Sequence, residues 1–119
     1  MAEILVVEDD ATMRHMLRRI LEAEGLEVVL AGSSQDALQE MQDREFDLIV
    51  TDYDLRSEHT GLSLMEYVRR KTRRPPVILI SGKLNRDLEK KARALGAFSV
   101  FRKPFSIESF VKACQDAIQ

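Results

Sequence analysis

Five short apolar runs recur along this chain, separated by segments of a different periodicity, and few architectures accommodate that alternation. The runs are Ile4–Val7, Val28–Ala31, Leu48–Thr51, Val77–Ile80 and, less cleanly, Phe98–Phe101. The first, third and fourth are near-continuous stretches of β-branched residues or leucine, the pattern of parallel strands covered on both faces. Between the runs, apolar residues recur at helical spacing. Met13, Met16, Leu17, Ile20 and Leu21 form one stripe that stops at Glu24-Gly25. Ser33 or Ser34 can cap a second helix that ends near Arg44 and buries Ala37, Leu38 and Met41. A third helix is expected from near Leu62 to Lys71, with Leu64, Met65 and Val68 inward. A fourth runs from near Leu84 to Leu95, with Gly96 as its stop. The last starts at Ser106 and places Ile107, Phe110, Val111, Cys114 and Ile118 on one face.

Five strands alternating with five helices predict an α/β fold, a doubly wound parallel sheet with helices on both sides. Right-handed crossovers leave few arrangements. The simplest is the flavodoxin-like (βα)5 order 2-1-3-4-5, whose switch point lies between the first and third strands. At 119 residues the chain is shorter than a domain prior of about 150 residues, so residues 1–119 are expected to form one domain. Hydrophobic residues at 45% and charged residues at 32% exclude a disordered chain. A net charge of −2 gives no general attraction to nucleic acid or anionic membrane. Cys114 is the sole cysteine, which excludes an internal disulfide and a cysteine-rich zinc site and fits a reducing compartment. No apolar run can span a bilayer, and Met1-Ala2-Glu3 does not begin a secretory signal, so the cytoplasm is expected.

Ligands of such sheets bind outside the carboxyl ends of the strands, and that edge gathers chemistry here. The first run ends in Glu8-Asp9-Asp10, the third in Asp52 with Asp54 close behind, the fourth in Ser81-Gly82, and the fifth is followed by Lys103-Pro104. Two like charges about 4 Å apart repel by about 4 kcal/mol at an effective dielectric of about 20. Clustered carboxylates therefore call for a cation. Mg²⁺ suits them because it takes oxygen ligands and is usually held by one or two carboxylates plus a phosphate. Lys103 supplies a further positive charge. Asp52 can then act as a nucleophile toward a phosphoryl group, with the metal and ammonium on the equatorial oxygens and Ser81 donating a hydrogen bond. Gly82 leaves space beside the phosphoryl site, and Pro104 is expected to form a cis peptide with Lys103.

The motifs Ile4-Leu-Val-Val-Glu-Asp-Asp10, Asp47-Leu-Ile-Val-Thr-Asp52, Pro76-Val-Ile-Leu-Ile-Ser-Gly82 and Lys103-Pro-Phe105 together make the chain resemble a response-regulator receiver domain of a two-component system. The resemblance covers essentially all of it. It implies that Asp52 is the phosphoacceptor, Asp9 a direct ligand of Mg²⁺ (or Mn²⁺ in its place), and Glu8 a support for that metal. The backbone carbonyl of Asp54 would be a third protein ligand, Ser81 the switch hydroxyl and Lys103 the phosphate-binding lysine. The implied donor is a phosphohistidine on a sensor histidine kinase or phosphotransfer protein. Such a domain catalyses only its own phosphorylation and dephosphorylation. The family's usual output face joins the fourth helix, fifth strand and fifth helix, which here carry Lys90, Lys91, Arg93, Glu108 and Lys112. A monomer or weak dimer is expected, with no direct contact to nucleic acid or membrane.

Three departures qualify the resemblance. The segment after Asp52 reads Tyr53-Asp-Leu-Arg-Ser-Glu-His-Thr-Gly61, without the frequent Met-Pro, and Gly61 falls about one position late. Val100 stands where the family usually has an aromatic switch residue, and strand alternation points the neighbouring Phe101 to the opposite face. The acidic pair is Glu-Asp rather than Asp-Asp. Asp54 and Lys83 each lie two residues beyond a reacting position, and a contact between them would partly cover the phosphoryl group.

Other features read more plainly. Arg69-Arg-Lys-Thr-Arg-Arg74 suits a solvated helix C-terminus. His15 falls off its helix's apolar stripe, and Cys114 reads as a small core residue. The main rival is an enzyme, since Asp52-Tyr-Asp54-Leu is similar to the Asp-x-Asp signature of haloacid-dehalogenase-type phosphatases. Those usually carry the acidic pair late rather than first, and this chain has no room for a cap domain. A degenerate receiver used only for docking is the third reading, opposed by the intact acceptor, acids, hydroxyl and lysine. The last helix ends with the chain at Gln119, which predicts no effector domain: either a stand-alone regulator or a receiver taken from a longer protein.

Overall fold

The computed structural model describes residues 1–55 and 60–119. Parallel strands β1 (Glu3–Val7), β2 (Glu27–Ala31), β3 (Leu48–Asp52), β4 (Val77–Ser81) and β5 (Ser99–Arg102) form a sheet in the order β2-β1-β3-β4-β5. The intervening helices are α1 (Ala11–Glu22), α2 (Ser34–Asp43), α3 (Gly61–Arg69), α4 (Arg86–Ala94) and α5 (Ile107–Ala117). This is the flavodoxin-like doubly wound topology that the periodicity predicts.

Strand alternation divides the core in two. Ile4, Val6, Leu48, Val50, Ile78 and Ile80 face Leu17 and Leu21 of α1 and Phe110 and Cys114 of α5. Leu5, Val7, Ile49 and Leu79 face Ala37 and Met41 of α2, Leu64, Met65 and Val68 of α3, and Ala92 of α4. Having both faces covered is why the interior runs carry almost no polar residues until they reach the carboxyl edge. Cys114 is fully buried, and burial alone pushes its thiol up to about 12.

Caps fix where each helix begins and therefore how each strand exits. Asp10 accepts from the Thr12 amide at 3.1 Å, so the third acid of the first cluster is committed to opening α1. Ser33, rather than Ser34, caps α2 by accepting from the Asp36 amide at 3.1 Å. Asn85 caps α4, so that helix starts at Arg86 and leaves Leu84 outside.

Three apolar residues depart from expectation. β5 lies one residue later than its apolar run, and Phe98 is 45% exposed. As an edge strand pairing only with β4 among the described residues, β5 has one neighbour to hold its start. Met16 and Ile107 are exposed although they extend apolar stripes. Ile107 is the first residue of α5, three positions ahead of the first buried residue, Phe110. Met16 borders Leu17, which takes the inward position on α1.

Candidate functional site

The carboxyl edge forms an open cleft of about 210 Å³ lined by Glu8, Asp9, Asp10, Asp52, Asp54, Ser81, Gly82, Lys83 and Lys103. Registry between neighbouring strands brings these residues together. Val7 pairs with Thr51, Asp52 with Ile80 and Ser81 with Arg102, so the residues that follow each strand emerge side by side.

Glu8 and Asp52 are buried, and Lys103 joins them: its ammonium donates to Glu8 Oε2 and to Asp52 Oδ2, each at 3.0 Å. Burial works against the charged lysine, but the hydrogen bonds to Asp52 and Glu8 outweigh it and hold its pKa above the usual lysine range. Glu8 is pushed the other way for an acid. Burial, then the neighbouring Asp52 charge, raises it from 4.5 to about 7, against the lowering effect of Lys103. The second Glu8 oxygen accepts from the Asp10 amide at 3.2 Å.

Glu8, Asp9 and Asp52 each offer a carboxylate oxygen, all within 4.8 Å of one another. Asp52 Oδ1 is buried and has no hydrogen-bond partner among the described residues. An unmatched buried carboxylate oxygen in an all-oxygen cluster is what a hard divalent cation would satisfy. The residues present therefore fit Mg²⁺.

The Ser81 hydroxyl is buried and accepts from the Lys83 amide at 3.0 Å, leaving its own hydrogen to donate. The Lys103 amide donates to the Ser81 carbonyl at 2.9 Å, tying the lysine's strand to the hydroxyl's. The Lys103-Pro104 bond is cis, as the sequence predicts. Lys83 Nζ lies 3.5 Å from Asp54 Oδ2, so the expected contact across the cleft is present. Gly82 is exposed, and an added Cβ would meet nothing within 4 Å; no close approach demands glycine there.

Gly61 is different. A Cβ on it would lie 2.5 Å from the Asp52 carbonyl and 3.0 Å from Tyr53 Cα, while its amide donates to Tyr53 O at 2.9 Å. Only glycine lets α3 start this close to the acceptor, whatever the residue's offset in the sequence. His59, in the segment between, lies outside the described residues. On β5, Val100 packs with the α3–α4 core, and Phe101 turns to the opposite face, its ring tilted against Phe105 at 6.0 Å and edge-to-face with Phe110 at 5.8 Å. The aromatic position is thus vacant on the face where the family usually fills it.

Sequence reasoning missed one cleft neighbour. Arg14 of α1 donates to the Glu8 carbonyl at 2.8 Å. His15, expected at the surface, is exposed. In the basic run, Arg73 donates to Glu45 at 2.5 Å and Lys71 to the Met41 carbonyl at 3.2 Å, so part of it serves the chain's own groups.

Fold and cleft define a doubly wound α/β domain with a buried aspartate, a lysine and a hydroxyl around an acidic cluster that could hold a cation. The chain belongs to the response regulator receiver domain family, which it matches over residues 4–115. It is 34% identical to a probable transcriptional regulatory protein of Picosynechococcus sp., over 96% of this chain and 48% of that protein. It is 31% identical to the nitrogen assimilation regulatory protein NtrX of Azorhizobium caulinodans, over 98% of this chain and 26% of that protein. Among solved structures it is similar to the chemotaxis protein CheY4 of Vibrio cholerae, with a TM-score of 0.90, 28% identity and 98% of each chain covered. The chain thus spans about half of one curated relative and about a quarter of the other. Membership does not favour the phosphatase reading. Among the described residues no helix is long and apolar enough to cross a membrane.

Proposed function

We propose that residues 1–119 act as one receiver domain that takes a phosphoryl group onto Asp52 and relays its presence to a partner. The observation that carries this reading is the buried Asp52 carboxylate, one oxygen on Lys103 and the other without a partner beside Glu8 and Asp9. Asp52 attacks the phosphorus of a phosphohistidine, or of a small acyl phosphate. The new P–O bond forms as the P–N or acyl P–O bond breaks; the leaving group keeps the electron pair, departing as an imidazole that takes up a proton from solvent or as a carboxylate that needs none.

Asp9 and Asp52, with the Asp54 backbone carbonyl and Glu8 in support, would hold Mg²⁺. When bound, it supplies charge neutralisation at the phosphoryl oxygens. Lys103 turns its ammonium from the Asp52 carboxylate to a phosphoryl oxygen, and Ser81 donates its free hydroxyl hydrogen to another. Asp54 and Lys83 stand over the cleft as modulators of water access, with Gly82 and Pro104 shaping its rim. Output passes through the face of α4, β5 and α5, where Lys90, Lys91, Arg93, Glu108 and Lys112 are exposed and Val100 replaces the aromatic. Such a face suits polar, exchangeable contacts made by a cytoplasmic monomer or weak dimer.

Intact mass measured before and after treatment with acetyl phosphate and Mg²⁺ tests the reading. The wild type should gain one phosphoryl group and Asp52→Ala none. Equal labelling of the variant overturns it, and multiple turnover of a phosphate monoester would restore the phosphatase reading.

A further inference from the structure

Behind the acidic turn lies a cation that the phosphoacceptor chemistry does not use. Arg14 stands in the first turn of α1, partly buried, and donates from Nη1 to the Glu8 carbonyl at 2.8 Å and the Asp9 carbonyl at 3.4 Å. The Glu8 amide still donates to Ala31 O at 3.0 Å, which extends the ladder between β1 and β2 by one residue. The Glu8 and Asp9 carbonyls come after that last ladder bond, and the guanidinium takes both.

Gly32, just past β2, carries a second and independent sign. A Cβ built there would lie 3.0 Å from Arg14 Nη1 and 3.6 Å from Cζ, with no other group within 4 Å. Gly32 has no positive φ, unlike Gly25 and Gly96. Its backbone would accept a side chain; what a side chain would strike is Arg14.

We propose that Arg14, seated against Gly32, is a positioning residue for the cation-binding acids. By fixing the backbone of residues 8 and 9, it sets where their carboxylates point and hence the affinity of the cleft for a divalent cation. This rests on the Mg²⁺ site of the receiver reading. Two effects oppose each other at Arg14. Its positive charge repels an incoming cation, whereas holding the turn spares the ordering that binding would otherwise require. Supporting hydrogen bonds around metal ligands typically contribute about tenfold or more in affinity, which exceeds the repulsion expected of a charge turned toward carbonyl oxygens.

Calorimetric Mg²⁺ titration, paired with amide hydrogen exchange at Asp10, separates the possibilities. Asp10 is informative because its amide donates to Glu8 Oε1. Arg14→Ala should weaken Mg²⁺ binding about tenfold and speed exchange at Asp10. Arg14→Gln, which keeps a donor without the charge, should recover part of the loss. Gly32→Ala, which keeps the charge but crowds the guanidinium, should weaken binding in the same direction. Arg19→Ala, an exposed cation on the same helix, should match the wild type. Binding in Arg14→Ala as tight as in the wild type or tighter, or a silent Gly32→Ala, overturns the proposal. If Arg14→Ala does not fold, Arg14→Gln and Gly32→Ala decide by the same readouts. A wild type that binds no Mg²⁺ would sink the receiver reading instead. Exchange at Asp10 would then still judge Arg14, with unchanged exchange in the variants refuting it.

Discussion

The interior strands and the edge strand that meet at the cleft are held very differently. β3 and β4 are buried throughout and β1 from Ile4 onward, whereas β5 is only half-buried and ends in the exposed Arg102. The groups that repel one another, Glu8, Asp9 and Asp52, come from the ends of interior strands, together with Ser81. Lys103, the ammonium that offsets them, follows the edge. Mutually repelling carboxylates need a scaffold that cannot relax, and the interior provides it. A group that must release one partner for another belongs where local rearrangement costs least. The strand that holds the lysine also borders the face assigned to output.

The largest expected effect tests that difference in rigidity directly. Ile80→Ala, at a fully buried interior position, should cost about 3 kcal/mol of unfolding free energy, as large-to-small core changes do. Val100→Ala on β5 should cost about 1 kcal/mol, in line with the area lost at a half-buried site. Denaturant titration measures both, and equal losses would break the contrast.

A smaller effect sharpens it through pH. Glu8 holds its proton up to about 7 in the folded protein, while the unfolded chain releases it near the ordinary value of 4.5. Its stabilising contribution is therefore complete below 4.5 and lost as pH rises to about 7. Metal-free wild type should lose stability across that window relative to Glu8→Gln; parallel curves from pH 4.5 to 7.5 would show that the interior does not hold the acid as described.

The smallest effect is at the rim. Asp54 and Lys83 are both well exposed, so their pair is worth at most about 1 kcal/mol. Asp54→Ala and Lys83→Ala should each shorten the phosphoryl half-life by no more than about fivefold, followed by intact mass after donor removal. An unchanged half-life in both removes the covering role.

The cleft was legible because its residues sit at strand ends, where order along the chain becomes adjacency across the sheet. Glu8, Asp9, Asp52, Ser81 and Lys103 could be placed at one edge from the periodicity alone. Asp54 and Lys83 were legible by counting from reacting positions. Edges and helix starts were read less well. Phe98 looked like strand because composition does not reveal that β5 pairs with β4 alone among the described residues, and Ile107 looked buried because a stripe does not say which turn first reaches the core. Arg14 had no readable signal as a cation on a helix, since its partners are backbone carbonyls, which every residue carries. Gly32 gave no clue either, since a glycine between a strand and a helix reads as an ordinary turn residue.

The junction of Gly61 with the acceptor's own backbone has a consequence for how this segment can vary. The Gly61 amide donates to the Tyr53 carbonyl, which ties the first residue of α3 directly to the residue that follows the acceptor. Any side chain larger than a hydrogen at position 61 would press on the Asp52 carbonyl itself, so a substitution there moves the acceptor rather than only the helix start.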